Sequence, residues 1–299
     1  MTHDHTVPAR AASRHKKRLW VVMWMVLSFL VIQVITGIVS GSLALLSDAG
    51  HMGTDALGLG MALAAITVAD KANRGDHRTF GLYRLEILAA LANAAFLFAV
   101  AGYVFYEAVR RLQEPPEILT SPMLVVAALG LVVNLVSWRM LREGAGESLN
   151  MEGAFLEVAA DLIGSLGVVA AALIVLFTGF VYADLIIAAG IGLFILPRAY
   201  RLGRKAIRVL VQAAPEDLDV AELQERLSMM NGVEDVHDLH VWTLTSGMPV
   251  ASAHLIAGPM ADRGAVLESA RRLLREEFKI PHATMQVELG AEECTELTW

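Results

Sequence analysis

The stretch SDAGHMGTDALG, residues Ser47–Gly58, places two aspartates and a histidine inside a run that is otherwise apolar enough to cross a membrane. An ionisable side chain at the centre of a bilayer costs about 2.5 to 3.5 kcal/mol on insertion scales, so it normally has a partner or a function there. His51 and Asp55 are four residues apart. Because residues at this spacing share one face of an α-helix, the stretch predicts a membrane helix that points two ligand-type side chains in one direction.

A second stretch repeats this design later in the chain. GAFLEVAADLIG, residues Gly153–Gly164, carries Glu157 and Asp161 four residues apart within another apolar run. Imidazole nitrogens and carboxylate oxygens are ligands of Zn²⁺, which usually takes four of them in a tetrahedron. Two ligands from each helix therefore predict one divalent-metal site between the helices. The alternative is a structural polar contact, but four ionisable groups exceed what helix packing requires.

The same groups predict a link to protons. A ligand must lose its proton to bind a metal, so metal release lets it take a proton back. Histidine titrates nearest neutral pH, and His51 is therefore the predicted proton carrier. Asp48 lies one turn before His51 and is predicted to orient the imidazole as a hydrogen-bond acceptor. A helix cap or a charge at the mouth of the site is the alternative role for Asp48.

Composition indicates a membrane protein. The chain has 299 residues, of which 56% are hydrophobic, and this exceeds the usual content of a soluble domain. One cysteine, Cys294, excludes a disulfide within the chain and a multi-cysteine metal site. Residues 1–212 contain 18 Lys and Arg against 15 Asp and Glu, whereas residues 213–299 contain 6 against 16. This acidic C-terminal part argues against nucleic-acid binding, which needs a basic face.

Six segments are long enough to cross a hydrocarbon layer of roughly 30 Å, which takes about 20 apolar residues. They are predicted at Leu19–Val39, Leu43–Ala69, Leu82–Ala108, Met123–Leu141, Met151–Phe177 and Tyr182–Leu202. The N-terminal tail, the second and fourth loops and the exit from the sixth segment contain 16 Lys and Arg, against 2 on the other side. Positive charge favours the cytoplasmic side, so both termini are predicted to be cytoplasmic.

After Pro215 the pattern becomes that of a small soluble α/β domain. Asp219 followed by Glu222 predicts the start of a helix, and Asn231-Gly232 predicts its stop. The elements that follow are a strand, a strand, a helix and a strand, predicted at Val233–Leu244, Val250–Ile256, Arg263–Phe278 and Ala283–Leu289. The predicted order of the domain is α-β-β-α-β.

This domain contains further metal-type side chains. His237, His254, His282 and Glu288 lie on or beside its predicted strands. Alternation along a strand puts His282 and Glu288 on the same face. The four residues predict a second metal site with a regulatory role. The alternative is that these histidines are structural or merely exposed.

Several stretches together resemble the cation diffusion facilitator family, in particular its bacterial zinc-exporting branch. They are SGSLALLSDAGHMGTDALGL, RTFGLYRLEILAALANA, NMEGAFLEVAADLIGSLGVV, GVEDVHDLHVWTLTSG, SAH and ATMQVE. The resemblance covers about Leu19–Leu289. It implies an α-helical membrane protein with six transmembrane helices, a C-terminal cytoplasmic ferredoxin-like domain and a homodimer in the bacterial inner membrane. It also implies exchange of a divalent metal for protons by alternating access, at a site formed by His51, Asp55, Glu157 and Asp161.

One residue departs from the family pattern. Glu157 stands where the zinc branch usually has histidine, so the predicted site has one imidazole and three carboxylates. Carboxylates are harder ligands and shift the preference from Zn²⁺ toward Mn²⁺, Fe²⁺ or Co²⁺. The predicted substrate is Zn²⁺, with cobalt, iron, manganese or cadmium as the alternatives.

The predicted organisation is an N-terminal tail at 1–18, a transport domain at 19–205, a linker at 206–214, a ferredoxin-like domain at 215–290 and a C-terminal tail at 291–299. The rival functions are an intramembrane metalloenzyme and a membrane-anchored metal sensor. Four protein ligands leave no position on the metal for a reacting water, and the chain has no His-Glu-x-x-His motif. An anchor needs one span rather than six. We therefore expect a transporter, not an enzyme, whose partners are a divalent metal, protons, the lipid bilayer and a second copy of the chain.

Overall fold

The computed structural model of the protein describes residues 6–54, 56–57, 80, 82–142 and 149–289. The chain divides into two compact units. The first comprises Met1–Leu63 and Ala92–Leu202, and the second comprises Ala64–Leu91 and Gly203–Trp299. The long apolar helices lie mainly in the first unit, and the α/β fold lies in the second.

Six helices precede the α/β fold in the described part of the chain. They are α1 at Thr6–Ser40, α2 at residues 43–54 and 56–57, α3 at Arg84–Gln113, α4 at Thr120–Arg142, α5 at Leu149–Thr178 and α6 at Tyr182–Leu210. All of them except α2 are long and apolar enough to cross a membrane. The helical membrane domain is therefore confirmed. The predicted second span is helical where it is described, and its remainder lies outside the described residues.

Helices α1 and α6 extend furthest beyond their predicted spans. Helix α1 begins at Thr6, so much of the predicted N-terminal tail is helical. Pro8 lies in the first turn, where proline is tolerated because the amide hydrogen it lacks has no partner within the helix. Helix α6 continues to Leu210 through a basic stretch that contains Arg204, Lys205 and Arg208, which have good helix propensity. The predicted linker at 206–214 therefore begins inside a helix.

Close helix approach depends on two glycines. A β-carbon at Gly130 on α4 would lie 2.6 Å from the Phe29 ring on α1. A β-carbon at Gly50 on α2 would lie 2.5 Å from Val100 Cγ1 on α3. Neither site has room for a side chain, and the two contacts hold α1 against α4 and α2 against α3. Small residues at helix interfaces allow this kind of packing in membranes.

A buried carboxylate fixes the start of α2. Asp184 in the first turn of α6 is 0% exposed. Its Oδ2 accepts the backbone N–H of Leu43 at 2.7 Å, and its Oδ1 accepts the Ser42 hydroxyl at 2.6 Å and the backbone N–H of Ala44 at 3.2 Å. The first amides of a helix have no partner within the helix, and an acid near them also interacts favourably with the helix dipole. Asp184 therefore caps α2 from another helix.

An ion pair on α3 supports the same turn. Arg111 donates to the Gly41 carbonyl, and its Nε donates to Glu107 Oε1 at 2.8 Å. Gly41 has a φ of +71°, a left-handed conformation that glycine adopts without strain. The turn between α1 and α2 is thus tied to α3 and α6.

The α/β fold of the second unit has the predicted α-β-β-α-β order. It consists of α7 at Val220–Ser228, β1 at Val233–Thr245, β2 at Met248–Ala257, α8 at Arg263–Glu276 and β3 at His282–Leu289. The sheet order is β1-β2-β3, with β1 antiparallel and β3 parallel to β2. Asp219 caps α7 as predicted, by accepting the backbone N–H groups of Ala221 and Glu222. Buried leucines from both helices pack on the sheet.

The cap on α2 leads to a prediction. Asp184→Ala leaves two buried amides and the Ser42 hydroxyl without their acceptor, so it should lower the free energy of unfolding by about 2 kcal/mol or more. The measurement is thermal unfolding of the full chain in one detergent. Ser42→Ala removes a single hydrogen bond and should cost less. Equal melting temperatures for Asp184→Ala and the wild type would contradict the capping role.

Candidate metal sites

Two of the predicted transport ligands meet between α2 and α5. His51 Nε2 lies 3.5 Å from Asp161 Oδ1, and the two side chains are only 6% and 8% exposed. The contact joins one residue from each predicted helix pair. Asp55 lies outside the described residues, as does the side chain of Glu157, although the backbone at 157 belongs to α5.

The separation of this pair suits a metal ion. Two ligands that are each about 2.0 to 2.2 Å from a tetrahedral Zn²⁺ lie about 3.4 Å apart. The His51 nitrogen and the Asp161 oxygen are spaced like one edge of such a tetrahedron. The same spacing also suits an ion pair between an imidazolium and a carboxylate. The geometry can therefore hold either a metal or a proton.

Asp48 has a partner that was not identified from the sequence. Its Oδ2 accepts a 2.6 Å hydrogen bond from Gln33 Nε2 on α1. Both side chains are buried. The sequence could have indicated a partner for Gln33, because its amide side chain lies inside the apolar segment of α1, where an unpaired polar group is costly. The predicted contact of Asp48 with the His51 ring stays a prediction.

Three side chains of the α/β fold form a compact cluster. His254 Nδ1 lies 2.9 Å from Glu288 Oε1, and His237 Nε2 lies 3.4 Å from Glu288 Oε2. The two histidines face each other across the β1–β2 pairing, with ring centroids 5.1 Å apart. One ligand atom from each of the three residues lies within 4.8 Å of the other two, and all three residues are partly buried. Two imidazoles and one carboxylate form a donor set that suits Zn²⁺ and leaves a fourth position for another ligand.

The surroundings of Glu288 favour its charged form. Partial burial acts to raise the pKa of the Glu288 carboxyl, but the hydrogen bond from His237 and the charge of His254 outweigh it and lower the pKa below its ordinary value. Gln286 Nε2 also donates to Oε1 at 2.7 Å. Glu288 is therefore ionised at neutral pH, which is the form that binds a metal.

His282, the fourth residue predicted for this site, lies elsewhere. It pairs with Val250 at the start of β3, whereas Glu288 pairs with Ile256 near the other end. Six residues of strand separate the two by about 20 Å. His282 lines a cavity of about 340 Å³ together with Arg271 and Arg275. Their positive charges oppose a metal cation, so His282 does not complete the cluster within one chain.

A bulge in β1 brings a further histidine to the cluster face. Asp238 has a φ of +52°, and the pairing register shifts between His237 and His240. His237 pairs with His254 and His240 pairs with Ser252, so three residues of β1 span two of β2. This places His240 on the same face as His237, whereas regular alternation would put it on the opposite face.

Comparisons with known proteins cover nearly the whole chain. The family model described as "Cation efflux transmembrane domain" matches residues 19–211, and the one described as "Cation efflux protein, cytoplasmic domain" matches residues 215–289. The metal cation efflux system protein CzcD of Cupriavidus metallidurans is 44% identical over 97% of this chain and 90% of its own length. The cadmium, cobalt and zinc/H(+)-K(+) antiporter of Bacillus subtilis is 36% identical over 97% of this chain and 93% of its length.

Two further matches cover different shares of the chain. The zinc transporter ZitB of Escherichia coli is 36% identical over 96% of this chain and 92% of its length. Among solved structures, the metal-bound C-terminal domain of the CzcD transporter from Cupriavidus metallidurans is 34% identical. It covers 24% of this chain and 100% of that structure, with a TM-score of 0.24.

The cluster on the sheet leads to a second prediction. Loss of an outer-shell partner typically weakens metal affinity by 10 to 100-fold, so loss of a direct ligand should weaken it by at least about tenfold. His254→Ala and Glu288→Gln should each have this effect on zinc binding, measured by competition with a chelator in an Asp161→Ala background. His282→Ala in the arginine-lined cavity is the matched control and should bind zinc normally. An equal loss in all three variants would contradict the assignment.

Proposed function

Because the chain belongs to the cation efflux family, also called the cation diffusion facilitator family, we propose that it exports divalent metal ions, zinc foremost, in exchange for protons. It is a transporter and not an enzyme. The metal binds between α2 and α5, where His51, Asp55, Glu157 and Asp161 are its ligands. The substrate is the metal itself, which enters from one side of the membrane and leaves on the other.

The observation that carries this proposal is the contact of His51 with Asp161. Both side chains are buried in apolar helices, and their ligand atoms are 3.5 Å apart. An ionisable pair at this depth is costly to maintain unless it has a function. Transport supplies one, because a passing cation needs ligands that replace its water.

Proton exchange follows from the same contact. Without metal, a proton on the His51 imidazole makes the 3.5 Å contact an ion pair. A divalent cation between the two groups displaces that proton, and a later proton displaces the cation. The name of the Bacillus relatives, antiporters of cadmium, cobalt and zinc against protons and potassium, supports exchange rather than passive flow.

The C-terminal part completes the proposal. We infer a cytoplasmic domain at 215–290 that joins two copies of the chain and binds metal at His237, His254 and Glu288. The excess of Lys and Arg beside the predicted inner-side loops supports cytoplasmic termini and a multi-pass chain in the bacterial inner membrane. Binding of cytoplasmic metal at this cluster is the proposed signal that transport is needed.

Asp161 provides the direct test. Asp161→Ala removes a charged ligand and should abolish transport, because the imidazole then has no carboxylate across the helix interface. The measurement is uptake of zinc into inside-out vesicles under an imposed proton gradient, with an ionophore to collapse the gradient. Asp217→Ala changes an exposed carboxylate and is the control. Near-normal uptake by Asp161→Ala, or uptake that ignores the ionophore, would refute the proposal.

Glu157 tests the choice of metal. Glu157→His replaces a hard carboxylate with a softer imidazole, and nitrogen ligands favour zinc over manganese. The reference pKa of histidine is about 6.5 against about 4.3 for glutamate, so a competing proton persists to higher pH. The variant should therefore show a higher ratio of zinc to manganese transport and greater sensitivity to acid.

Competition assays over a range of pH provide the measurement for Glu157→His. The same metal ranking and the same pH midpoint in both proteins would show that Glu157 is not a ligand of the kind proposed here.

A further inference from the structure

A layer of buried polar side chains crosses four helices beside the His51–Asp161 pair. It contains Gln33 on α1, Asp48 on α2, Asn134 and Ser137 on α4, and Ser165 on α5. Each of these residues is at most 2% exposed. Gln33 donates to Asp48 at 2.6 Å, and Asn134 Nδ2 donates to Ser165 Oγ at 2.9 Å. Burial of so many polar groups among apolar helices requires hydrogen bonds between them.

This layer is short of hydrogen-bond donors. Four buried atoms of this layer have no hydrogen-bond partner within the described part of the chain: Gln33 Oε1, Asp48 Oδ1, Asn134 Oδ1 and Ser137 Oγ. Three of them are carbonyl or carboxylate oxygens, which only accept unless a proton is added. Asp48 is the one residue of the four whose side chain can take up a proton. A proton on Oδ1 converts an acceptor into a donor and reduces the shortage.

Asp48 Oδ1 lies close to Gly164 on α5. A β-carbon at Gly164 would lie 2.9 Å from Asp48 Oδ1. The carboxylate therefore reaches the backbone of α5 where no side chain intervenes. Asp48 precedes His51 by three residues, and Gly164 follows Asp161 by three residues. The layer thus lies one helical turn from the His51–Asp161 pair, toward the N-terminal end of α2.

We propose that Asp48 is a proton-binding site of the transport cycle, separate from the metal ligands and one turn away from them. This inference rests on the proposed exchange of metal for protons. A proton from water on the side of the α2 N-terminus forms an O–H bond at Oδ1, and it returns to water when Asp48 ionises again. The ionised form attracts a cation at His51 and Asp161, and the protonated form does not. Proton uptake at Asp48 therefore favours metal release.

Among the side chains that the structure describes, few charged groups lie near Asp48. His51 on its own helix and Asp161 on α5 are the described titratable groups one turn away, and the side chains of Asp55 and Glu157 lie outside the described residues. The segment Met23–Ser40 of α1 and the segment Met123–Trp138 of α4 contain none. On α6, Asp184 is held by the first amides of α2, and on α3, Glu107 is paired with Arg111. A change in proton binding on Asp48→Asn can therefore be assigned to Asp48 and its coupling to the pair.

The test measures how many protons the protein releases when it binds zinc. Zinc is titrated into the purified full chain at several pH values in buffers of different ionisation enthalpy, which yields the affinity and the protons released per metal bound. Asp48→Asn keeps the size of the side chain. It should release about one fewer proton than the wild type at the pH of greatest release and flatten the pH dependence of affinity. The Co²⁺ absorption spectrum should be unchanged, because Asp48 is not a ligand.

The outcomes separate the two proposals. A wild type that releases no protons on binding zinc overturns both the exchange and the role of Asp48. Equal proton release by the wild type and Asp48→Asn overturns the role of Asp48 alone. An altered Co²⁺ spectrum in Asp48→Asn also overturns it, because Asp48 would then be a metal ligand.

If Asp48→Asn does not fold, a comparison of Gly164→Ala with Gly167→Ala tests the proposal instead. Gly164→Ala places a methyl group against Asp48 Oδ1 and should shift the pH midpoint of zinc binding upward, because an apolar group beside the carboxylate disfavours its charged form. Gly167→Ala lies three residues on, and its β-carbon meets Ile187 Cγ2 at an ordinary 3.4 Å. It should keep the wild-type midpoint. Identical midpoints for the two alanine variants would overturn the proposal.

Discussion

The carboxylate of Asp184 at the start of α2 is the contact on which the geometry of the membrane site depends. Helix α2 begins at residue 43, and the carboxylate from α6 holds its first amides at 2.7 and 3.2 Å. His51 lies about two turns further along α2. Because a helix is stiff over so short a distance, a fixed first turn also fixes the height and rotation of His51. The His51 side chain can then face Asp161 rather than lipid.

Helix α2 carries polar groups at successive turns, and each has a different kind of partner. Its first turn is held by Asp184, its second contains Asp48 with the amide of Gln33, and its third contains His51 with Asp161. The partners come from α6, α1 and α5, so α2 is bound by polar contacts on several sides. In a bilayer, where apolar side chains gain little by meeting each other rather than lipid, such contacts decide which helices associate. The groups proposed to serve transport therefore also specify the helix packing.

The elements that could be predicted from the sequence are those with local signals. Apolar length predicted five spans that the structure confirms, and the Asp219 cap and strand alternation predicted the α-β-β-α-β order. The four-residue spacing of ligand-type groups predicted that His51 and Asp161 share an interface, where they are now found 3.5 Å apart. The ligand roles of Asp55 and Glu157 stay predictions, because the described part of the chain does not include Asp55 or the Glu157 side chain. These signals are local because helix and strand periodicity fix which face a residue occupies.

The contacts that escaped prediction join residues with no sequence pattern between them. Asp184 caps a helix 141 residues earlier, and Gln33 meets Asp48 across an interface. The bulge at Asp238 reverses the face of His240, which an alternation count cannot anticipate. His282 shares a face with Glu288 but lies at the other end of the strand, among arginines. A shared face is therefore necessary for a metal site but does not establish one, because the ligands must also meet along the strand. The membrane pair meets this condition through the packing of α5 against α2, which the distant Asp184 caps. The sheet cluster meets it through the direct pairing of His237 with His254.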